Sequence, residues 1–595
     1  MSPATLDIDG KVMAFQPGKT ILDVAREAGI HTIPTLCYLK NTTATGSCRM
    51  CLVEVEGART LLPACVTMTA PGMVVRTESA RIDAARKMVI ELLLASGNHN
   101  CLICEANGEC ELQALAYRYQ VPASGITNPP DTGYYYEDNN SMIVRDFSKC
   151  IMCGRCVRAC NEKQVNQAIS IGYRGSHNKI VAKADFPYID SDCVFCGECV
   201  QSCPVGALLD KNASQQGRPW ELSQIRTTCP YCGVGCQMDL HLKGGRIVKA
   251  TGAHAVPNQG RLCIKGRFGL GFVQHEDRLK TPLIKEDGSF REATWDEALD
   301  LVALRLTEIK RKYGPEKIGG LASARVTNEE NYLMQKMMRA VIGTGHVDHC
   351  ARLCHASTVA GLAATYGSGS MTNSIGELEY ADCILVIGSN PTENHPVIGA
   401  NIKRAACLKN KDLIVIDPRR QDLVRHARLW LRQYPGTDIA VINGMMHVIL
   451  AENLHDAAYV AERTENFEAV QKRRPDIPRN MWKRSAAYPP PTSSRQPVST
   501  PRRPQPPSSS AWASPSIPWA RTTSRPSPIW PCFAAMWAFP MPGSIPCGDR
   551  TTYRAPATWG RCPTSSPPTR RWPTPPTGRR WRKPGGSPAS PIMWG

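Results

Sequence analysis

Two runs of four cysteines with the same spacing constrain this chain more than any other feature of its sequence. Each run reads C-x2-C-x2-C-x3-C, and the members are Cys150, Cys153, Cys156 and Cys160, then Cys193, Cys196, Cys199 and Cys203. Thiolates at such short intervals are typical ligands of metal ions and iron–sulfur clusters. The start of the chain, MSPATLDIDGKV, lacks a secretory signal, so we expect a cytoplasmic protein in which disulfides are rare.

The paired runs resemble the two-cluster ferredoxins, in which the fourth cysteine of each run binds the other cluster. The resemblance implies one [4Fe–4S] cluster on Cys150, Cys153, Cys156 and Cys203. It implies a second on Cys193, Cys196, Cys199 and Cys160, within a domain of residues 138–212. Zinc binding by these cysteines is the alternative, which the eight-cysteine pattern disfavours.

An earlier set of cysteines lies between short alternating apolar segments such as CLVEVEG, which we interpret as strands. Four thiolates in a loop-rich β-region, with one C-x2-C pair, favour a [2Fe–2S] cluster over zinc. We therefore predict a β-grasp-like ferredoxin domain over residues 1–78, with the ligands Cys37, Cys48, Cys51 and Cys65.

A third set, Cys101, Cys104 and Cys110, has the spacing C-x2-C-x5-C and leaves a cubane one ligand short. His99 is the proposed fourth ligand in a domain of residues 79–120. The set resembles the His/Cys cluster of respiratory complex I and iron hydrogenases, where the histidine stands four residues before the first cysteine. Because His99 stands two residues before it, a surface histidine beside the cluster remains the alternative.

The last set, in CPYCGVGC and GRLCIKG, comprises Cys229, Cys232, Cys236 and Cys263 in a domain of residues 222–280. It resembles the entry domain of the molybdopterin oxidoreductases, where a [4Fe–4S] cluster lies beside a molybdenum or tungsten bis(molybdopterin guanine dinucleotide) cofactor. In that family the lysine after the last cysteine, here Lys265, lies between cluster and pterin. Without the motif, Lys265 would be read as a solvated surface charge. Together the sets imply one [2Fe–2S] and four [4Fe–4S] clusters that carry single electrons.

From Thr281 the pattern becomes α/β. WDEALDLVALRLTEIKRKYG has helical periodicity, and DCILVIGSNP and DLIVIDPRR predict two strands of a βαβ unit. Ligands bind such sheets at the carboxyl ends of the strands. The family resemblance implies that these ends hold the guanosine and phosphate parts of the pterin cofactor, through Gly388, Asn390, Glu393, Asp417, Arg419, Gly436 and Asp438. Residues 281–470 would then be a partial pterin-binding domain.

The stretch VDHCARLCHASTVAGL resembles the formate dehydrogenase version of this family. The resemblance implies that Cys354 ligates the metal and that His355 handles the proton. Cys350 lies one helical turn earlier but lacks an adjacent histidine, and Cys383 and Cys407 are interpreted as buried thiols. The implied function is formate oxidation to CO2, with electrons passed to a flavin- and iron–sulfur-containing partner that reduces NAD.

A non-catalytic iron–sulfur subunit of the complex I type shares these clusters but needs no Cys–His pair, so Cys354 and His355 discriminate between the two. Nitrate reductases share the cofactor but typically lack the adjacent histidine. The formal charge of +19 does not indicate nucleic-acid binding, because residues 471–595 hold 20 of the 71 Lys and Arg and only 2 of the 52 Asp and Glu. With 42% hydrophobic residues, the chain still has no apolar run near the ~18 residues of a membrane span.

The same tail holds 28 of the 47 prolines, and its composition predicts a disordered Pro/Arg-rich segment. Residues 547–560, CGDRTTYRAPATWG, can be encoded by codons that, read one base earlier, give LRGQNNVQGACDMG. In the family, RGQNN carries the substrate-anchoring arginine. We therefore predict a reading-frame slip near residue 470 and an impaired enzyme, with a Pro/Arg-rich interaction arm as the alternative. The predicted architecture is multidomain, α+β and α/β: iron–sulfur domains, a truncated molybdopterin-oxidoreductase core and this tail.

Overall fold

The computed structural model describes residues 4–122, 126 and 136–472, so the predicted tail lies outside the described residues except for its first two positions. Strands and loops dominate up to about residue 292, and helices around small parallel sheets follow. This is the predicted order of α+β and α/β parts. Among the helices of the described ranges, none combines the length and the apolar character that a bilayer crossing requires.

A five-stranded mixed sheet with one helix forms the first part of the chain. In spatial order its strands are Lys11–Ala14, Thr5–Ile8, Val74–Arg76, Leu52–Val55 and Leu62–Pro63. The helix Ile21–Glu27 begins at Thr20, which forms a capping box with Asp23. Buried aliphatic side chains of sheet and helix form the core: Leu6, Ile8, Ile21, Leu22 and Val53. The strand predicted in CLVEVEG is Leu52–Val55.

Two helices, Ala80–Ala95 and Glu111–Arg118, follow the sheet. Arg86 on the first helix is fully buried. Its guanidinium donates to the Leu52 carbonyl at 2.8 Å and to the Tyr119 hydroxyl at 2.9 Å. These bonds attach the helical segment to the sheet, so the loop with Cys101, Cys104 and Cys110 is carried on a fixed support.

Two short helices of similar local geometry carry the paired cysteine runs. They are Arg155–Arg158, continued by a π-helical turn over Ala159–Lys163, and Glu198–Ser202. Each is preceded by a glycine in the left-handed region, at φ 68° and 70°. The strands around them are the sheet Tyr136–Glu137, Ile143–Asp146 and Leu208–Asp210 and the hairpin Ile169–Gly172 with Lys179–Ala182.

An antiparallel meander of Ser223–Thr228, Gln237–Lys243 and Arg246–Gly252 carries the last cysteine set. The first three of these cysteines lie in the loop between its first two strands. The fourth, Cys263, precedes the helix Ile264–Phe268. Buried Val234, Met238 and Leu262 pack beneath them. A hairpin, Leu283–Glu286 with Ser289–Glu292, ends this part.

The predicted βαβ unit is present in the last part. Cys383–Ile387 pairs in parallel with Asp412–Ile416, and the helix Pro396–Leu408 connects them. The third strand is Leu429–Leu431, and a second parallel pair joins Gly320–Ala322 to Val347–His349. The remaining helices are Trp295–Tyr313, Asn328–Lys336, Ala351–Cys354, Ala356–Tyr366, Pro391–Asn394, Asp438–Ala451, Ala457–Arg463 and Phe467–Lys472.

The predicted helix Trp295–Tyr313 exists, but it buries none of its side chains. Trp295, Leu299 and Val302 are each more than half exposed. Since an amphipathic helix is stabilised chiefly by the burial of its apolar face, the described residues contain only part of the core that this helix needs. The partial α/β domain over residues 281–470 stays a prediction.

Candidate functional site

The first cysteine set forms a contiguous group of thiols. The Cys37 amide donates to the Cys48 sulfur at 3.3 Å. Side-chain hydrogen bonds from Cys48 and Cys65 hold the pKa of Cys37 well below its usual range, while the same bonds raise the pKa of each of these two partners. Cys51 bonds to Cys65. All four sulfur donors therefore meet in one place, which fits an inorganic cluster held by thiolates.

The second set brings three thiols together but places His99 differently from the prediction. Burial raises the pKa of Cys101 and of Cys110, and the neighbouring Cys104 adds to both shifts. The Nε2 atom of His99 instead lies 3.0 Å from the carbonyl of Leu93, and burial lowers the pKa of its ring. Only Nδ1 remains as a candidate donor toward the thiols. The role of His99 as a ligand stays a prediction.

The paired runs are brought together crosswise. A cavity of about 30 Å³ with an almost wholly apolar lining is bordered by Cys150, Cys153, Cys156 and Cys203. Three of these belong to the first run and one to the second. Cys160 is absent from that lining. Burial raises the pKa of Cys193, Cys196 and Cys199, and the neighbouring Cys160 adds to each of these shifts. This grouping fits the two predicted cubanes, with the fourth cysteine of each run exchanged.

Burial controls the protonation of these thiols. Desolvation raises the pKa of Cys150 and of Cys153 to about 11. It does the same for Cys193, Cys203 and Cys229. Without a bound cation the groups are therefore neutral near pH 7. Because iron is bound by the thiolate, cluster binding must displace these protons.

The last cysteine set also converges. Burial raises the pKa of Cys236, and the neighbouring Cys229, Cys232 and Cys263 add to this shift. Burial raises the pKa of the Cys232 thiol, and two nearby cations, the exposed Lys265 and Arg325, partly oppose this rise. Arg325 also donates to the carbonyl of Tyr231 at 3.1 Å. Both cations thus lie near Cys232. The position of Lys265 between cluster and pterin stays a prediction.

A buried ion pair joins the ferredoxin part to the meander. Arg267 donates from Nη2 to Glu198 Oε1 at 2.8 Å, and the side chains are 2% and 1% exposed. Arg267 Nε also donates to the Cys196 carbonyl at 2.8 Å, and the same Glu198 oxygen accepts from the Leu262 amide at 3.2 Å. Since Leu262 precedes Cys263, this pair connects the second cubane group to the last cysteine set.

The predicted catalytic pair lies where two helices meet. Cys354 ends the helix Ala351–Cys354, and His355 separates it from Ala356–Tyr366. Cys354 is partly accessible, whereas the ring of His355 is buried, and this burial lowers its pKa. A neutral imidazole beside an accessible thiol suits a proton acceptor near a sulfur ligand. Cys350 is exposed at the other end of the short helix.

The two other thiols that we interpreted as buried are only partly so. Cys383 and Cys407 both have intermediate exposure. Cys383 lies at the start of its strand, and the Cys407 sulfur lies 3.1 Å from Nδ1 of His426.

The strand-end residues gather at the carboxyl edge of the three-stranded sheet. Gly388 follows the strand Cys383–Ile387 in the left-handed region at φ 57°, and its amide donates to the Ile416 carbonyl at 2.9 Å. Asp417 follows the neighbouring strand and accepts from the Arg419 amide at 2.8 Å. Burial raises the pKa of Asp417, and Asp438 contributes to the shift. Glycine, carboxylate and amide groups at one edge fit a nucleotide-bearing cofactor.

The remaining predicted residues of that edge differ in exposure. Asn390 is buried and its side chain accepts from the Thr392 hydroxyl at 2.8 Å. Glu393 and Arg419 are exposed. Gly436 lies in the turn before Asp438, at φ 83°. Their pterin contacts stay predictions.

Within the described part of the chain, no three His, Cys, Asp or Glu side chains close around a single metal ion. The sequence did not predict the pairing of Arg267 with Glu198. Each lies within five residues of a ligand cysteine and they carry opposite charges, but no sequence pattern pairs them.

Five family models match consecutive parts of the chain. They describe a 2Fe-2S iron–sulfur cluster binding domain at residues 2–80, an NADH-ubiquinone oxidoreductase-G iron–sulfur binding region at 86–124 and a 4Fe-4S dicluster domain at 149–207. The molybdopterin oxidoreductase Fe4S4 domain follows at 222–275, and the molybdopterin oxidoreductase model matches 278–565. The chain belongs to the molybdopterin oxidoreductase family. The last match extends past the described residues.

Curated members of the family are similar over half their length. A Staphylococcus aureus protein named "Putative formate dehydrogenase" is 32% identical to this chain. The match covers 78% of this chain and 51% of the Staphylococcus aureus protein. A Bacillus subtilis protein named "Probable oxidoreductase" is 32% identical, with coverages of 79% and 51%. The chain therefore spans about half the length of the relatives it matches.

Solved structures with similarity include an NAD+-reducing [NiFe]-hydrogenase, at 32% identity and a TM-score of 0.32 over 36% of this chain and 90% of the other. The acetylene hydratase of Pelobacter acetylenicus has 28% identity and a TM-score of 0.38, over 42% and 35%.

Proposed function

We propose that this chain is the catalytic subunit of an NAD-linked formate dehydrogenase. The observation that carries the proposal is the sequence Cys354–His355 in a molybdopterin oxidoreductase whose relatives include proteins named as formate dehydrogenases. The converging thiol groups support it, because they offer a route for single electrons away from the metal.

Separate residues of this chain would hold the metal, hold the nucleotide parts of the cofactor and accept the proton. Cys354 would hold the molybdenum or tungsten, and the carboxyl edge with Gly388, Asn390 and Asp417 would hold the nucleotide parts of the cofactor. The bound metal would accept two electrons from formate as CO2 forms. His355 would take the proton at a ring nitrogen, for which its lowered pKa keeps it neutral.

When bound, the clusters would supply one-electron redox chemistry between the metal and the partner. Lys265 would lie between the pterin and the cluster held by the last cysteine set. The Arg267–Glu198 pair would fix that set next to the cysteines of the second cubane, and the remaining sets would hold the other clusters. We propose that a partner with flavin and iron–sulfur centres takes the electrons to NAD.

The chain as written lacks an in-frame RGQNN, so we propose that its formate oxidation is impaired. The test compares it with a frame-restored chain, each loaded with cofactor and supplied with formate and a redox dye. Activity only after restoration would support the proposal. Full activity of the chain as written, or nitrate reduction without formate oxidation, would refute it. Cys354→Ala in the restored chain must abolish dye reduction while the iron content stays constant.

A second candidate is an electron-transfer subunit without catalysis, favoured by the match of residues 86–124 to the NADH-ubiquinone oxidoreductase-G region. This candidate predicts clusters that are reduced by a partner and a restored chain that binds no molybdenum or tungsten. Metal analysis of the restored chain separates the two.

A further inference from the structure

Lys403 is a buried cation at the contact between the α/β domain and the ferredoxin part. It lies on the helix Pro396–Leu408 and is 4% exposed. Its ammonium donates to Asn166 Oδ1 at 2.5 Å. Among the described residues no carboxylate forms an ion pair with it. Asp422, which acts on it from a distance, is bound by Arg425 at 2.8 Å. The hydrogen-bond partner of this ammonium is therefore a neutral amide.

The Asn166 loop connects Lys403 to a ligand cysteine of the second cubane group. The Asn166 amide donates to the Cys160 carbonyl at 3.0 Å, and the Ala168 amide donates to the Cys160 sulfur at 3.4 Å. Arg404, the next residue on the helix, donates to the Glu162 carbonyl. The helix is thus fixed against the loop, with its ammonium on the side of Cys160.

The positive charge of Lys403 is not balanced by a paired carboxylate among the described residues. A buried ammonium with a neutral partner is costly unless an anion lies nearby. The groups that Lys403 faces besides Asp422 and Arg425 are the side chains of Cys160 and Cys196, two of the proposed ligands of the second cubane. A [4Fe–4S] core with four thiolates carries net negative charge, so cluster binding would supply the missing anion.

We propose that Lys403 is the counter-ion of the second cubane and that its charge raises the reduction potential of this cluster. The inference rests on the cluster assignment of the proposed function. A positive charge stabilises the reduced cluster, which is the more negative state. The α/β domain thereby contributes a side chain that controls electron entry into the ferredoxin part.

The test uses the full chain, loaded with iron and sulfide without air, and an EPR-monitored redox titration. Lys403→Met removes the charge at similar length, and Lys403→Arg keeps it. Lys409→Met is the matched control, since Lys409 directly follows the same helix, is more exposed than Lys403 and pairs with Glu379. Iron and sulfide are counted for every variant.

In Lys403→Met we expect the reduction equilibrium of one cluster to fall about tenfold, which is about 59 mV for a one-electron couple. Lys403→Arg and Lys409→Met must leave it unchanged. Loss of four irons in Lys403→Met but not in Lys403→Arg would also support a counter-ion. An unchanged potential in Lys403→Met, or equal effects of Met and Arg, would overturn the inference. A wild-type chain that binds no iron would refute the cluster assignment itself.

Discussion

Removing the arginine of the buried pair should weaken the junction between the ferredoxin part and the meander. Arg267→Met leaves the Glu198 carboxylate, 1% exposed, without its guanidinium. Breaking a buried pair from one side costs about 3–5 kcal/mol. At about 1.4 kcal/mol per factor of ten, the local opening equilibrium rises roughly a hundred- to several-thousand-fold.

The assay is hydrogen exchange of the Leu262 amide, which donates to Glu198 Oε1 and so reports opening at this junction. Protection should fall by the same factor in Arg267→Met. The double variant Arg267→Met/Glu198→Gln should recover most of it, because the glutamine side-chain oxygen can still accept from the Leu262 amide while the uncompensated buried charge is removed.

The matched control is the exposed pair of Lys243 and Glu221, with side chains 45% and 40% exposed. Lys243→Met should cost no more than about 1 kcal/mol. A change of less than tenfold in Arg267→Met, or a double variant as weakly protected as the single one, would show that the ion pair does not stabilise this junction.

Three further predictions follow from the thiol groups and the candidate proton acceptor. The double variant Cys150→Ser/Cys203→Ser should lose about four irons per chain, because both residues serve one cubane; a loss of about eight would show that each run binds its own cluster. The iron-free chain should lose stability as pH rises from about 9 to about 11, because burial raises the pKa of Cys150, Cys153 and Cys193 to about 11 and thus favours the neutral thiol in the folded state. Each such group should cost about 2–3 kcal/mol in urea titrations across that range, and a flat profile would contradict the burial argument. In the frame-restored chain, His355→Gln should lower kcat by about a hundredfold or more in a formate assay and remove the acidic limb of the pH profile, while cofactor content stays unchanged; an unaltered pH profile would exclude His355 as proton acceptor.

Local sequence patterns predicted the elements that depend on local physics. The helix Trp295–Tyr313 follows from its 3.6-residue periodicity, and the parallel strands Cys383–Ile387 and Asp412–Ile416 follow from two apolar runs with an amphipathic segment between them. The exchange of Cys160 and Cys203 between the two runs was implied by family resemblance and stays a prediction, although the cavity lining places Cys203 with three cysteines of the first run.

Contacts between distant parts of the chain could not be predicted in this way. Lys403 meets Asn166 across 237 positions, and Arg267 meets Glu198 across 69. Neither pair leaves a periodic signal, because each depends on how the domains pack. The orientation of His99 was also beyond reach, since its spacing alone does not fix which ring nitrogen faces the thiols.

The converging thiols are proposed to hold iron–sulfur clusters. Counting iron, acid-labile sulfide and zinc in the chain after anaerobic purification measures this occupancy. We predict about 18 iron atoms per chain with an equal amount of sulfide. Zinc at these sites in place of iron and sulfide would show that the thiols do not hold such clusters.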